Sequence, residues 1–238
     1  RDHCVTGVQT CALPIYLIFR KMKTKNSTRN KMRNHKLVSQ ASRPLGNHII
    51  SPMAYSTRRT IDPGALGSAA NTVFDLSSVQ DPDYTGVGHQ PVGHDQLSTF
   101  FERYQVISVD YQIVFFNSSE VNFQRVGIRA VDVPVTDTDP DVLVENGNSQ
   151  WTLLSPYNGS QSIATFSGSI ELNEVHGITK AQYLANDDYG ASFGSNPSER
   201  AFLHLWADGL GTDTAAVGVA VKLVYHTRCM GSVNIPLS

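Results

Sequence analysis

From Tyr104 to Phe116 the chain alternates apolar and polar positions. Ile107, Val109, Tyr111, Ile113 and Phe115 fall on one face, and Ser108, Asp110 and Gln112 on the other. A period of two with one apolar face predicts a strand with one side buried. The same reading gives strands over 71–78, with Phe74 and Leu76 together, and over 123–133, ended by Pro134. Another over 163–172 puts Ala164, Phe166, Ile170 and Leu172 on one side. Residues 201–207 are nearly all apolar and stop at Asp208-Gly209. Residues 216–228 aim Val217, Val219, Val221, Leu223 and Tyr225 inward, and Lys222, His226 and Arg228 outward. Short strands at this spacing, with Gly, Pro and Asp between them, predict an all-β sandwich or barrel.

One helix interrupts the series. Asp95 is placed to cap it, and Leu97, Phe100, Phe101 and Tyr104 follow at helical spacing to form one apolar stripe. A further helical turn or two is expected within 176–184. The longest apolar run, near Ala12 to Phe19, is far short of the roughly 20 residues that span a bilayer. No membrane partner is expected.

Charge divides the chain in two. Residues 1–60 hold 12 of the 19 Lys and Arg and one acid, Asp2; residues 61–238 hold the other 7 bases and 20 acids. The net charge of −2 therefore hides a basic front and an acidic body. The string from Val5 to Ile15 resembles the conceptual translation of a sequencing adapter. Residues 1–21 are accordingly read as an adapter and upstream artefact, with Met22, or else Met32, as the native start. From Met22 to Thr60 there are still nine bases, Lys23, Lys25, Arg29, Lys31, Arg33, Lys36, Arg43, Arg58 and Arg59, and no acid. Residues 22–40 carry too little apolar surface to offset their ordering entropy and are expected to be disordered alone. Residues 41–70 read as an extended linker. The domain plan is thus a basic arm and linker over 22–60 and a β-domain over 61–238.

Such an arm suits a polyanion. Each Lys or Arg that meets a phosphate releases a condensed counterion, which gives binding that weakens steeply with salt. No aromatic residue lies between Met22 and Ala54, so stacking on bases is a minor contribution and sequence selectivity should be poor. The stretch from Lys21 to Lys36 also fits a nuclear import signal. With Cys4 and Cys11 in the excluded segment, Cys229 has no partner for an internal disulfide, which fits synthesis in a reducing compartment.

The segment Gly88-His89-Gln90-Pro91-Val92-Gly93-His94-Asp95-Gln96-Leu97, then Phe101, Tyr104 and Val106, carries a family likeness. It resembles the Pro-x-Gly-x-Asp-Gln-Leu stretch, with a following Tyr and a long strand, of capsid proteins from small circular single-stranded DNA viruses, whose shells are similar to that of satellite tobacco necrosis virus. The motif positions are Pro91, Gly93, Asp95, Gln96, Leu97 and Tyr104. Gly177-Ile-Thr-Lys-Ala-Gln, Asp188-Tyr-Gly-Ala191, Asn196-Pro197 and Leu203-His-Leu-Trp206 match as well. The resemblance covers about 60–233. It implies an eight-stranded jelly roll, of which alternation alone supplies fewer than eight strands. It also implies a coat protein that assembles with about 60 copies of itself, in a T=1 icosahedral shell, around single-stranded DNA. The virion is then its location, with the host nucleus or cytoplasm during assembly. At nine arm charges per copy, the interior would hold roughly 540 positive charges.

Other chemistry is thinner. Asp137, Asp139, Asp141 and Glu145 form the densest acidic stretch, with Asp137, Asp139 and Asp141 as candidate calcium ligands, but Asp-Thr-Asp-Pro-Asp is also turn chemistry. His89, His94 and Asp95 lie close together with no third ligand type at metal spacing. No nucleophile elbow or phosphate-cradling loop is present in the sequence, so no catalytic residue and no cofactor is expected. The rival class is a carbohydrate-binding or adhesion jelly roll with a basic tail. It would need exposed aromatic residues, for which Trp151 and Trp206 are the only tryptophans.

Overall fold

A computed structural model describes residues 46–63, 67–134, 137–210 and 215–233. The arm bases Lys23, Lys25, Arg29, Lys31, Arg33, Lys36 and Arg43, and the excluded segment before them, lie outside the described residues. The strands are β1 (His48–Ile61), β2 (Ala70–Asp75), β3 (Phe101–Asn117), β4 (Gln124–Val131), β5 (Ser149–Leu154), β6 (Ile163–Glu171), β7 (Gly190–Ser192), β8 (Phe202–Gly209) and β9 (Val217–Ser232). Short helices α1 (His94–Ser98), α2 (Pro140–Glu145), α3 (Leu172–Val175) and α4 (Lys180–Ala185) lie in the connections.

One sheet runs β1-β9-β3-β6, with the short β7 also paired to β3; the other runs β2-β8-β4-β5. Every strand pairing among the described residues is antiparallel. Successive long strands switch sheets at each step except β4 to β5. That order is a jelly-roll β-sandwich, in which two four-stranded walls face one another.

Alternation builds the core. Val217, Val219, Val221, Leu223 and Tyr225 of β9 are all buried, and so are Val109, Ile113 and Phe115 of β3. They meet Phe74, Val126, Leu154, Leu203 and Leu205 of the facing sheet in one cluster. β8 is buried along its whole length because both its faces are covered. Leu203, Leu205 and Ala207 face the main core, while Trp206 joins Leu143 of α2 and Ala69 in a second cluster. Phe202 joins Val73 and Val131 in a third.

Three expectations need correction. First, the pattern Leu97, Phe100, Phe101, Tyr104 is not one helical stripe. α1 ends at Ser98 and Phe101 already begins β3, leaving Phe100 exposed. Secondly, Ile107 is not in phase with Val109. The pairing of β3 with β9 shifts between Val106 and Ser108. A bulge adds one residue and reverses the side-chain phase, so Tyr104 and Val106 face the core from one side of it and Val109 onward from the other. Ile107 instead sits with Ile50, Leu184 and Ala185 on the outside of the sheet. Thirdly, the middle of the 41–70 linker is a strand: β1 pairs with β9 from His48 to Ile61. Its inward positions include Thr57 and Arg59 as well as Met53 and Tyr55, which blurs the apolar alternation.

The helical turns expected within 176–184 are α4, which begins at Lys180. Thr179 caps it in a full capping box, its side chain accepting from the Gln182 backbone while Gln182 accepts from the Thr179 N–H.

Candidate nucleic-acid and assembly surfaces

The motif segment is the connection from β2 to β3. Val92 bridges to Ala54 of β1, its N–H donating to the Ala54 carbonyl at 2.9 Å. Pro91 is buried, and its carbonyl accepts from His94 N–H in a turn. Gly93 caps α1 with φ +94°, a left-handed conformation that other residues rarely adopt. Asp95 is therefore not the cap. It lies inside the first turn, exposed, with its Oδ1 3.1 Å from His94 Nδ1. Gln96 is exposed and Leu97 leans on the core. Tyr104 is fully buried, and its hydroxyl donates to the Ser195 carbonyl at 2.7 Å.

The other segments of the likeness meet the motif from the connection between β6 and β8. Phe193 packs against both His94 and Tyr104, with ring centroids 5.3 Å apart in each case. Ser78 donates to Asn196 Oδ1 at 2.6 Å, and Ala191 pairs with Tyr104 across the sheet. Pro91, Gly93, Leu97 and Tyr104 thus tie two long connections to one end of the sandwich. They hold the local fold; Asp95 and Gln96 are the motif side chains left facing outward.

Beneath this end lies a polar cluster that the sequence reading missed. Asp75, at the end of β2, is buried and accepts from the N–H groups of Ser77 and Ser78 at 2.8 and 3.0 Å. Arg200 reaches its other oxygen at 3.3 Å. Burial raises the carboxyl pKa to about 6 despite these donors. Arg200 also lies over the rings of Tyr84 and Phe202. Tyr225 donates to the Asp75 carbonyl at 2.8 Å. The fit is that of an internal tie between strands and loops.

The two bases placed near the end of the linker part company. Arg59 points inward and donates to the buried carboxylate of Asp83, which also accepts from Thr85. Arg58, its neighbour, is exposed on the outer face. The acidic stretch is engaged in structure as well. Asp139 caps α2 by accepting from Asp141 N–H, and Asp141 accepts from Arg125 at 3.1 Å. Asp137 is exposed. Among the described residues no group of three or more His, Cys, Asp or Glu is gathered to hold a metal ion. No helix among them is long and apolar enough to cross a membrane.

No protein-family model matches the chain, and no curated protein matches it. Solved structures do. The chain is similar to that of a mud crab tombus-like virus, at 12% identity and a TM-score of 0.45, over 86% of this chain and 98% of that one. It is similar to the chain of a semi-empty virus-like particle of the Macrobrachium rosenbergii nodavirus, at 13% identity and a TM-score of 0.43, over 80% and 97%. It is also similar to the decameric BFDV capsid protein, at 10% identity and a TM-score of 0.42, over 76% and 99%. The jelly-roll assignment rests on the strand order itself.

Proposed function

We propose that this protein is a viral coat protein: a non-enzymatic wall unit that assembles with copies of itself into a small icosahedral shell around single-stranded DNA. The observation that carries the reading is the division of charge. Nine bases and no acid lie between Met22 and Thr60, whereas residues 61–238 hold 7 bases and 20 acids. A cationic leader can neutralise phosphates without reading sequence, while an acidic body keeps the wall from binding the genome indiscriminately. The jelly roll supplies a wedge with two walls, and its motif positions support the shape of one end. DNA, in preference to RNA, rests on the resemblance of the Pro91-to-Tyr104 segment.

The fold revises the charge available for packaging. Arg58 and Arg59 belong to β1, so seven bases, Lys23 to Arg43, precede the fold. In a shell of about 60 copies they would place roughly 420 positive charges inside. The glycan-binding alternative has one exposed tryptophan, Trp151 on an edge strand, since Trp206 is fully buried.

Electron microscopy of the purified protein tests the assembly: uniform round particles are expected, and a monomer at every salt concentration would refute it. Removal of residues 22–40 should leave the β-domain folded and abolish nucleic-acid retention. Retention by that truncated form at physiological salt would refute the role of the arm.

A further inference from the structure

The acidity of the body is not spread evenly. β1 and β9 contain no Asp or Glu, yet hold Arg58, Arg59, Lys222 and Arg228. These two strands are neighbours in one sheet. Elsewhere in the body every base except Arg129, which lies against the Asn146 amide, is held by a carboxylate: Arg125 by Asp208 and Asp141, Arg200 by Asp75, Lys180 by Glu171 and Arg103 by Asp187. Among the described residues, Arg58, Lys222 and Arg228 have no carboxylate within ion-pair distance.

Register puts all three on one surface. Buried Val219, Val221, Leu223, Tyr225, Thr227 and Cys229 alternate with outward Ala220, Lys222, Val224, His226, Arg228 and Met230. Arg58 pairs with Ala220, and Ser56 with Lys222, on that same outward side. From Ala220 to Arg228 the strand rises about 27 Å, so the three cations mark a track along β9. Lys222 sits between Ser56 and Gln112, with Ser167 one strand further on, while Arg228 pairs with Ile50 and donates to the Leu184 carbonyl at 3.4 Å; Glu171, on the same face, is engaged by Lys180 at 3.0 Å. The carboxylate closest in register, Asp110, is engaged by His226 at 2.8 Å. In addition, the basic leader joins the fold at β1, the edge strand of this very sheet.

We infer that the outer face of the β1-β9-β3-β6 sheet is a second nucleic-acid surface, on which Arg58, Lys222 and Arg228 contact the phosphates of a single strand delivered by the arm. The inference rests on the packaging role proposed above. The one exposed aromatic ring on these strands, Phe116, lies over Gly218 at one end of the track, so stacking is confined to that end and the cations read phosphate and not sequence.

The test is the salt dependence of oligothymidylate binding by the full chain. Each phosphate contact on a single strand contributes about 0.7 to the slope of log K against log salt. The triple variant Arg58→Gln, Lys222→Gln, Arg228→Gln should lower the slope by about 2 with its circular dichroism unchanged. The converse variant, Ser56→Lys with Gln112→Lys, adds two cations to the same face and should raise the slope by about 1.4; it decides the matter if the triple variant does not fold. Unchanged slopes overturn the inference. If neutralising Lys23 to Arg43 collapses binding while both sheet variants bind as the parent does, the arm stands and the sheet surface falls. If the parent itself fails to bind, the packaging reading falls with it. Loss of particles with an unchanged slope would make this face a contact between copies and would also overturn the inference.

Discussion

The indole of Trp206 lies directly over Gly127, its partner across the β4–β8 pair: a Cβ built on Gly127 would meet Trp206 Cε2 at 2.5 Å. The glycine is required there because the ring occupies the space a side chain would take, trapped under Leu143 and Ala69. Gly127→Ala should therefore overpack this cluster and cost about 1–3 kcal/mol, read as a lowered denaturation midpoint. Full stability in the alanine variant would show that the ring can move aside.

Arg58 and Arg59 should separate cleanly. Arg59→Ala leaves Asp83 buried without its cation, and at a partly exposed pair this should cost about 2 kcal/mol. Arg58→Ala should change stability by less than about 0.5 kcal/mol, as exposed sites do. Equal effects in urea denaturation would contradict the inward and outward assignment of the two side chains.

Asp75 predicts an unusual pH dependence. Burial raises its folded pKa to about 6 from an ordinary value of 3.8. The folded state therefore holds this proton more tightly than the unfolded chain does. The stability this gives is fully present below pH 3.8, and is lost as pH rises through 6. Over that window the contribution is on the order of 2–3 kcal/mol. Asp75→Asn should remove that decline, so that the difference between parent and variant changes between pH 4 and 6 and is flat above. A parallel pair of stability curves would refute the assignment.

Thr179→Ala removes the capping box of α4 and should cost about 1 kcal/mol. The loss should be largely absent in Thr179→Ser, which keeps the hydroxyl. Chemical denaturation of the two variants provides the comparison.

Cys229 is buried, and burial pushes its thiol up to about 11. Alkylation of the native protein at pH 8 should leave the Cys229 peptide unmodified, whereas the unfolded chain should label fully. Mass spectrometry of the digested protein reads the difference directly, and rapid native labelling would contradict the packing of β9.

Legibility followed burial. β3, β6 and β9 could be read because one face is apolar and the other is not, and β8 because it is apolar on both. β1 escaped because its inward row includes Thr57 and Arg59 and its outward row includes Ile50. β5 escaped for the opposite reason: Trp151 and Leu153 are exposed on its outer side, so no alternation survives. The bulge at Val106–Ser108 has no signal in a single sequence, since both phases of that stretch look like a strand. The helix was overextended because Leu97, Phe101 and Tyr104 all pack on the core, and core contact from a helix followed by a strand can mimic helical spacing. The Asp75 cluster was hidden because its partners, Ser77, Ser78, Arg200 and Tyr225, are scattered along the chain. Charge, by contrast, is a property of segments, and its division between front and body is visible at once; only the placement of Arg58 and Arg59 depends on the pairing of β1 with β9.

β9 lies between β1 and β3, and β1 pairs with no other strand. During synthesis the first strand must therefore wait, unzipped, until the last one leaves the ribosome. Closure is a long-range event and slow by topology, so the domain cannot be completed one segment at a time. Each copy reaches its finished shape in a single late step.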